Sequence, residues 1–238
     1  MKALTLNCGS SSVKYALWDV NALHRLCSGI VERVTVRGSF INHQVPGKKE
    51  VIYKMECPTH DVAIELILDF LTSQDHRTIT DVSEISAAGH RVVHGGENFI
   101  KSVRIDEEVI KVIEKCCILA PLHNPPNLLG IKAAMRLMPD IPHIAVFDTA
   151  FLATMPKYAY MYALPYEWYE KYGIRRYGFH GTSHLYVSRR AAVLLNKRPS
   201  ELNVITLHIG NGVSITAVRG GVAFDHSMGF TPLEGVVM

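Results

Sequence analysis

The first sixty positions alternate short apolar runs with turn signals, a β pattern. Residues 3–6 and 14–19 flank the turn Asn7-Cys8-Gly9-Ser10-Ser11-Ser12, and 29–34, 39–45 and 51–55 are the next predicted strands. From His60 the period changes: Val62, Ala63, Leu66, Ile67, Phe70 and Leu71 recur at helical spacing across 60–73. A predicted strand over 85–93 runs into His94-Gly95-Gly96, and 106–117 reads as a helix with acidic residues at its start. Asn124-Pro125-Pro126-Asn127 is a turn from which Asn127 caps a helix to Leu137, and 144–147 is a short buried strand ending at Asp148. The order then restarts. Thr182 or Ser183 caps a helix through Leu195, and strands follow at 204–207, 214–218 and 222–225, joined by a turn at 208–212 and by Gly220-Gly221.

A pattern begun twice predicts two α/β domains, 1–150 and 151–238. A repeat supports this. With Leu4 laid on Ile205, Thr5 meets Thr206, Leu6 meets Leu207, Gly9 meets Gly210 and Ala16 meets Ala217, although the second strands agree less well than the first. Each copy is strand, small-residue turn, strand. Glycine permits close approach, so successive N–H groups can converge on an anion. The serine hydroxyls add donors, and Lys14 adds a charge just behind. Either hairpin alone reads as an ordinary glycine turn. Two of them, each with a polar residue at the strand end (Asn7, His208), favour a pair of cradles gripping a polyphosphate from both sides. Neither is a Walker loop, because no GxxxxGK[ST] occurs and a strand, not a helix, follows the turn.

Composition narrows the class. The chain has 238 residues, 48% hydrophobic and 20% charged, enough for one large core or two smaller ones. A net charge of +3, scattered and without an aromatic-basic stripe, argues against a nucleic-acid partner. No signal peptide or membrane-length apolar run is visible, so no membrane partner is expected. Five cysteines (Cys8, Cys27, Cys57, Cys116, Cys117) lack metal-site spacing, and a reduced, cytoplasmic chain is the simplest reading. Cys8 reads as a small residue at a strand end rather than a reactive thiol.

Further polar groups fall at strand and loop ends. In "GHRVVHGGE" Arg91 ends a strand, where a guanidinium serves equally well as a structural ion pair or as a fork for a carboxylate or phosphate. "APLHNPPN" places His123 in a proline-stiffened loop, where alone it reads as a brace. "AVFDTAF" delivers Asp148 to a strand's C-terminal end, as a metal-water ligand or base, or as the cap of a following helix. "RRYGFHGTSH" is rich in donors ahead of a helix and sets His180 beside Phe179. Together these groups suit phosphoryl transfer, which needs positive charge, oriented donors and a divalent ion around a γ-phosphate.

"LTLNCGSSSVK", "GHRVVHGG", "PLHNPPN", "VFDTAF", "RRYGFHGTSH", "VITLHIGNGVSITA" and "SMGFTPLEG", in this order and across the whole chain, resemble the motifs of the acetate and propionate kinase family. The resemblance implies an α/β, duplicated ribonuclease H-like or actin-like ATPase fold. It implies ATP-dependent phosphorylation of acetate or another short-chain carboxylate to an acyl phosphate and ADP, with Mg2+ or Mn2+. By position it gives Asn7 and Asp148 to the metal. Gly9, Ser10, Ser11, Ser12 and Lys14, with His208, Ile209, Gly210, Asn211 and Gly212, go to the ATP phosphates. Arg91 goes to the substrate carboxylate, and Val93, Leu122, Phe179 and Pro232 to its alkyl group. His123, His180, Asp148 and Arg91 are the catalytic set. The full-length form is expected to be a cytoplasmic homodimer.

The chain also departs from the family pattern. Leu152-Ala153 stands where the family usually has His-Gln, which is expected to alter a hydrogen bond near the domain junction, and Asp225-His226-Ser227 stands where it often has Asp-Thr-Ser. Family members are considerably longer, so the resemblance also implies a fragment with an incomplete second domain, poorly packed beyond Ala150 and with little activity alone. "HNPPN" and Phe230 look more like acetate than propionate kinases. A non-catalytic nucleotide-binding or assembly module of the actin-like class is the alternative.

Overall fold

The computed structural model describes Met1–Met238 as two compact units. The first comprises Met1–Val92 and Val103–Val146, the second Val93–Ser102 and Phe147–Met238. The chain is α/β, with a large mixed sheet.

In the first unit, β1 (Lys2–Cys8), β2 (Ser12–Asp19), β3 (His24–Glu32), β4 (Phe40–Gln44) and β5 (Val51–Lys54) form an antiparallel meander. β6 (Ile85–Val92) pairs parallel to β1, and β7 (Val103–Arg104) and β8 (His143–Phe147) complete a sheet of order β5-β4-β3-β2-β1-β6-β8-β7. Alternation along β1 and β2 buries Leu4, Leu6, Cys8, Val13, Tyr15 and Leu17. Against this apolar face pack α1 (His60–Thr72) and α3 (Asn124–Leu137), with α2 (Glu107–Lys115) against α3. Thr59 caps α1 by accepting from the Val62 N–H, and Asp106 caps α2 by accepting from the Val109 N–H.

At Gly130 the sheet and α3 come into direct contact. A Cβ there would overlap Cys8 Sγ, so only glycine lets the helix settle this deep on the end of β1. Cys8 is accordingly buried, and burial pushes its thiol up to about 12, which leaves it inert. All five cysteines are free thiols.

In the second unit, short helical turns at Phe151–Thr154 and α4 (Lys157–Tyr160), then α5 (Tyr166–Tyr172), lead to α6 (Gly181–Leu194). β9 (Asn203–Ile209), β10 (Val213–Arg219) and β11 (Val222–His226) form an antiparallel sheet of order β11-β10-β9, with α6 against β9. Leu152, Met155 and Ala223 make a small apolar cluster between the first of these turns and β11. Leu152 is therefore core rather than a hydrogen-bonding position.

Three local expectations are corrected. Asn127 is not a cap, because α3 already begins at Asn124 after His123, its prolines occupying the first turn, where a missing N–H costs nothing. Neither Thr182 nor Ser183 caps α6. His180 holds that position with φ 59° and makes no side-chain cap. His208 and Ile209 belong to β9, so the second turn is only Gly210–Gly212.

Pairing also explains why the second strands of the repeat matched poorly. In the first hairpin Cys8 pairs with Val13, leaving four residues in the loop. In the second Ile209 pairs with Val213, leaving three. Thr5 faces Ala16, whereas Thr206 faces Thr216 and not Ala217. The gapless alignment is therefore one residue out of register beyond the turn.

Candidate active site

In the first unit the serine turn is pinned from behind. The Gly9 N–H donates to Ser12 O at 2.8 Å and closes the loop. The Asn127 amide donates to Cys8 O at 2.6 Å, and His60 Nε2 lies 2.8 Å from Gly9 O, where it donates. Asn127 and His60 are themselves buried. With the Gly9 carbonyl held by His60, the trans peptide turns the Ser10 N–H to the opposite side, outward. Ser10, Ser11 and Lys14 are exposed and Ser12 half-buried, so the turn offers its donors to solvent. This is the geometry of an anion cradle.

Beside it, Arg91 near the end of β6 donates from Nη1 to Asn7 Oδ1 at 3.2 Å. The parallel pairing of β1 and β6 brings this about, since both strands end at the same side of the sheet. A guanidinium thus bonds the residue two positions before Gly9, where the serine turn begins. His123 and Leu122, in the loop before α3, are exposed in this unit.

In the second unit Asp148, 2% exposed, follows directly on β8. Its carbonyl accepts from the Gly181 N–H at 2.9 Å, and a Cβ at Gly181 would overlap that oxygen. The start of α6 is in this way fastened to Asp148. The helical turn after Asp148 begins at Phe151, with Ala150 at its cap position and no side-chain cap from that residue. His180, one residue before α6, holds a left-handed backbone that costs a non-glycine residue about 1–2 kcal/mol. Its ring stacks on His208 with centroids 4.0 Å apart, and its Cε1–Nε2 edge lies against Gly212 in the second turn. His208 Nδ1 is 3.0 Å from Ser183 Oγ. Ile209, Gly210 and Asn211 are exposed. Val93 and Phe179 are buried, and Pro232 is exposed.

The histidine turn has supports that the sequence did not reveal. The Phe179 N–H donates to His226 Nε2 at 3.2 Å, and His226 Nδ1 lies 2.8 Å from Thr216 Oγ1. Leu152 and the His226 ring both press on Gly178, at φ 72°, where a Cβ would overlap both. The two departures from the family pattern therefore meet at one glycine, two residues before His180. Arg176 donates to Asp225 and to the His226 carbonyl, and Arg175 pairs with Glu97 over the Tyr160 ring. His184 lies one helical turn after His180, a spacing visible in the sequence.

No group of three or more His, Cys, Asp or Glu side chains is placed to hold a metal ion, and no helix is long and apolar enough to cross a membrane. A magnesium ion takes one or two carboxylates and otherwise phosphate and water oxygens, so the Asp148 carboxylate and the Asn7 amide oxygen, each in its own unit, are donors of a fitting type.

A family model described as the acetokinase family matches residues 2–238. The chain is 61% identical over 238 residues to an acetate kinase of Geobacter sulfurreducens and 58% to one of Thermotoga maritima, covering all of this chain but 56% and 59% of theirs. Among solved structures it resembles an acetate kinase of Porphyromonas gingivalis (TM-score 0.95, 49% identity) and a propionate kinase of Francisella tularensis (TM-score 0.92, 44% identity). It covers all of this chain and 59% of each of those. The chain thus spans a little over half the length of these relatives.

Proposed function

Because the chain belongs to the acetokinase family, we propose that it is the larger part of an acetate kinase, transferring the γ-phosphoryl group of ATP reversibly to acetate. The observation that carries this reading is the guanidinium of Arg91 fastened to Asn7, beside the serine turn. A carboxylate fork next to a phosphate cradle serves a reaction between two anions. It has no evident use in an assembly ATPase.

A carboxylate oxygen bonds to the γ-phosphorus in line, and the bond from that phosphorus to the β,γ-bridging oxygen breaks, giving an acyl phosphate and ADP. The nucleophile is already ionised, so no proton need be removed. The task is to offset repulsion, and we assign it to this chain's fixed donors and charges. Gly9, Ser10, Ser11, Ser12 and Lys14, and His208 to Gly212, hold phosphates. Arg91 holds the carboxylate. Val93, Leu122, Phe179 and Pro232 border its methyl group. His123 and His180 face the charge in flight. A magnesium ion would supply further neutralising charge, with Asp148 and Asn7 its oxygen donors. The longer form is read as a cytoplasmic homodimer. Propionate is the second reading, since a propionate kinase is among the structural relatives and one methylene discriminates weakly.

Trapping of acyl phosphate with hydroxylamine tests the proposal. The chain extended beyond Met238 by the matching C-terminal part of the Geobacter sulfurreducens relative is expected to give acetohydroxamate from ATP, magnesium and acetate, and the 238-residue chain very little. A folded extended chain that hydrolyses ATP but forms no hydroxamate from acetate or propionate would point to the assembly class instead.

A further inference from the structure

Behind His180 runs a buried chain of alternating rings and hydroxyls that no part of the reaction above uses. His180 Nδ1 is 2.8 Å from Ser214 Oγ. The same oxygen is 2.8 Å from His184 Nε2, and His184 Nδ1 is 2.8 Å from Thr206 Oγ1. Thr206 Oγ1 in turn donates to the Thr216 carbonyl, a longer bond at 3.4 Å. His184 and Ser214 are wholly buried and Thr206 is 6% exposed, so water does not replace these partners.

Proton counting gives the chain a direction. A hydroxyl has one hydrogen. The Thr216 carbonyl can only accept, so when Thr206 gives it that hydrogen, the Thr206 oxygen accepts from His184 Nδ1–H. Burial, with His180 and His208 close by, holds His184 down to about 4, so it is neutral and its Nε2 carries a lone pair. Ser214 must then donate to His184 Nε2, and its oxygen accepts from His180 Nδ1–H. The last ring is left with Nε2 on the edge that faces Gly212.

We infer that Ser214, His184 and Thr206 form a positioning relay that commits the Nδ1 hydrogen of His180 inward and aims its Nε2 at the second turn. Any hydrogen His180 offers from Nε2 is then a second proton, and the ring that offers it carries a full positive charge. A neutral Nε2–H, the other way an imidazole could face a phosphate, needs the relay reversed, with the Thr206 hydroxyl turned from the Thr216 carbonyl to His184. The left-handed backbone at His180 suits this role, because it fixes the ring from the backbone side while Ser214 fixes it from the ring side. The functional meaning rests on the proposed kinase reading, whereas the tautomer does not.

The test is long-range proton–nitrogen NMR on the chain extended as above and labelled with 15N-histidine, at pH 8 and without nucleotide or acetate. His180 is assigned by its absence in His180→Ala. The expected result is a neutral His180 with hydrogen on Nδ1 and a bare Nε2, and a neutral His184 of the same tautomer. Ser214→Ala should return His180 to a mixture of tautomers. Thr206→Val, nearly isosteric, should change the tautomer of His184 and, two hydrogen bonds away, that of His180, which loss of packing alone would not do. If Ser214→Ala does not fold, Thr206→Val carries the test. A wild-type His180 with its hydrogen on Nε2, or a His180 unmoved by Thr206→Val, would overturn the inference. Neither result depends on acyl phosphate being formed, so a failed relay and a failed kinase reading are told apart.

Discussion

His90 and His143 lie in the core of the first unit, their ring nitrogens 2.9 Å apart, with His143 Nε2 donating to the Met138 carbonyl. Burial, with His143 beside it, holds His90 down to about 3. Burial likewise holds His94 at about 4, His184 at about 4 and His226 at about 3. Each is neutral when folded and takes up a proton on unfolding below the ordinary value of 6.5. The unfolded chain then binds more protons, so the contribution is complete above pH 6.5 and is lost as the pH falls toward the folded values. Between pH 6.5 and 5 each such group is worth up to about 2 kcal/mol. The urea midpoint followed by circular dichroism should therefore fall clearly from pH 7.5 to 5, before most carboxylates titrate. A flat midpoint over that range would mean these rings are solvated. Individual residues were unevenly legible in the sequence. Asp148 stands at a strand end because an apolar run stops there, and Arg91 falls one residue before the end of β6, both positions that a strand pattern shows. His60, Asn127, Ser214 and His226 act through partners between 30 and 119 residues away, except that His226 also bonds Thr216 ten residues away, and no local pattern carries such pairings.

The two hairpins share a first strand in sequence and differ in what covers it. On β1, Leu4 and Leu6 are buried beneath helices and Thr5 is exposed. On β9 the phase is reversed: Thr206 is buried toward α6, while Ile205, Leu207 and Ile209 are 69%, 55% and 75% exposed. β9 is also the edge of its sheet. An apolar edge strand open on one face and one side is a template for association. Sedimentation at rising concentration should show the 238-residue chain self-associating, and Ile205→Lys with Leu207→Lys should restore the monomer. A wild-type chain that stays monomeric at tens of micromolar would contradict this account of β9. The strands themselves were legible, because alternation is a local signal. The one-residue difference between the turns was not, since glycine, serine and asparagine fit loops of three or four residues equally well.

At the scale of the molecule, most of the fold followed from order: strands first, then helices, then strands again. What the sequence did not show was the insertion of Val93–Ser102 into the second unit, because a chain-order reading assumes continuous domains. The short helical turns between 151 and 172 were also missed, being too brief for periodicity to register. The family and its motifs carry the functional reading further than geometry alone does, and its central claim is that Arg91 binds the carboxylate while the turns bind phosphate. Steady-state kinetics of Arg91→Ala in the extended chain test that claim most directly. The account predicts that kcat/KM for acetate falls roughly 100-fold, the worth of a charge-assisted pair, while KM for ATP stays within about twofold. A variant whose KM for ATP rises while that for acetate holds would place Arg91 on the nucleotide and contradict it.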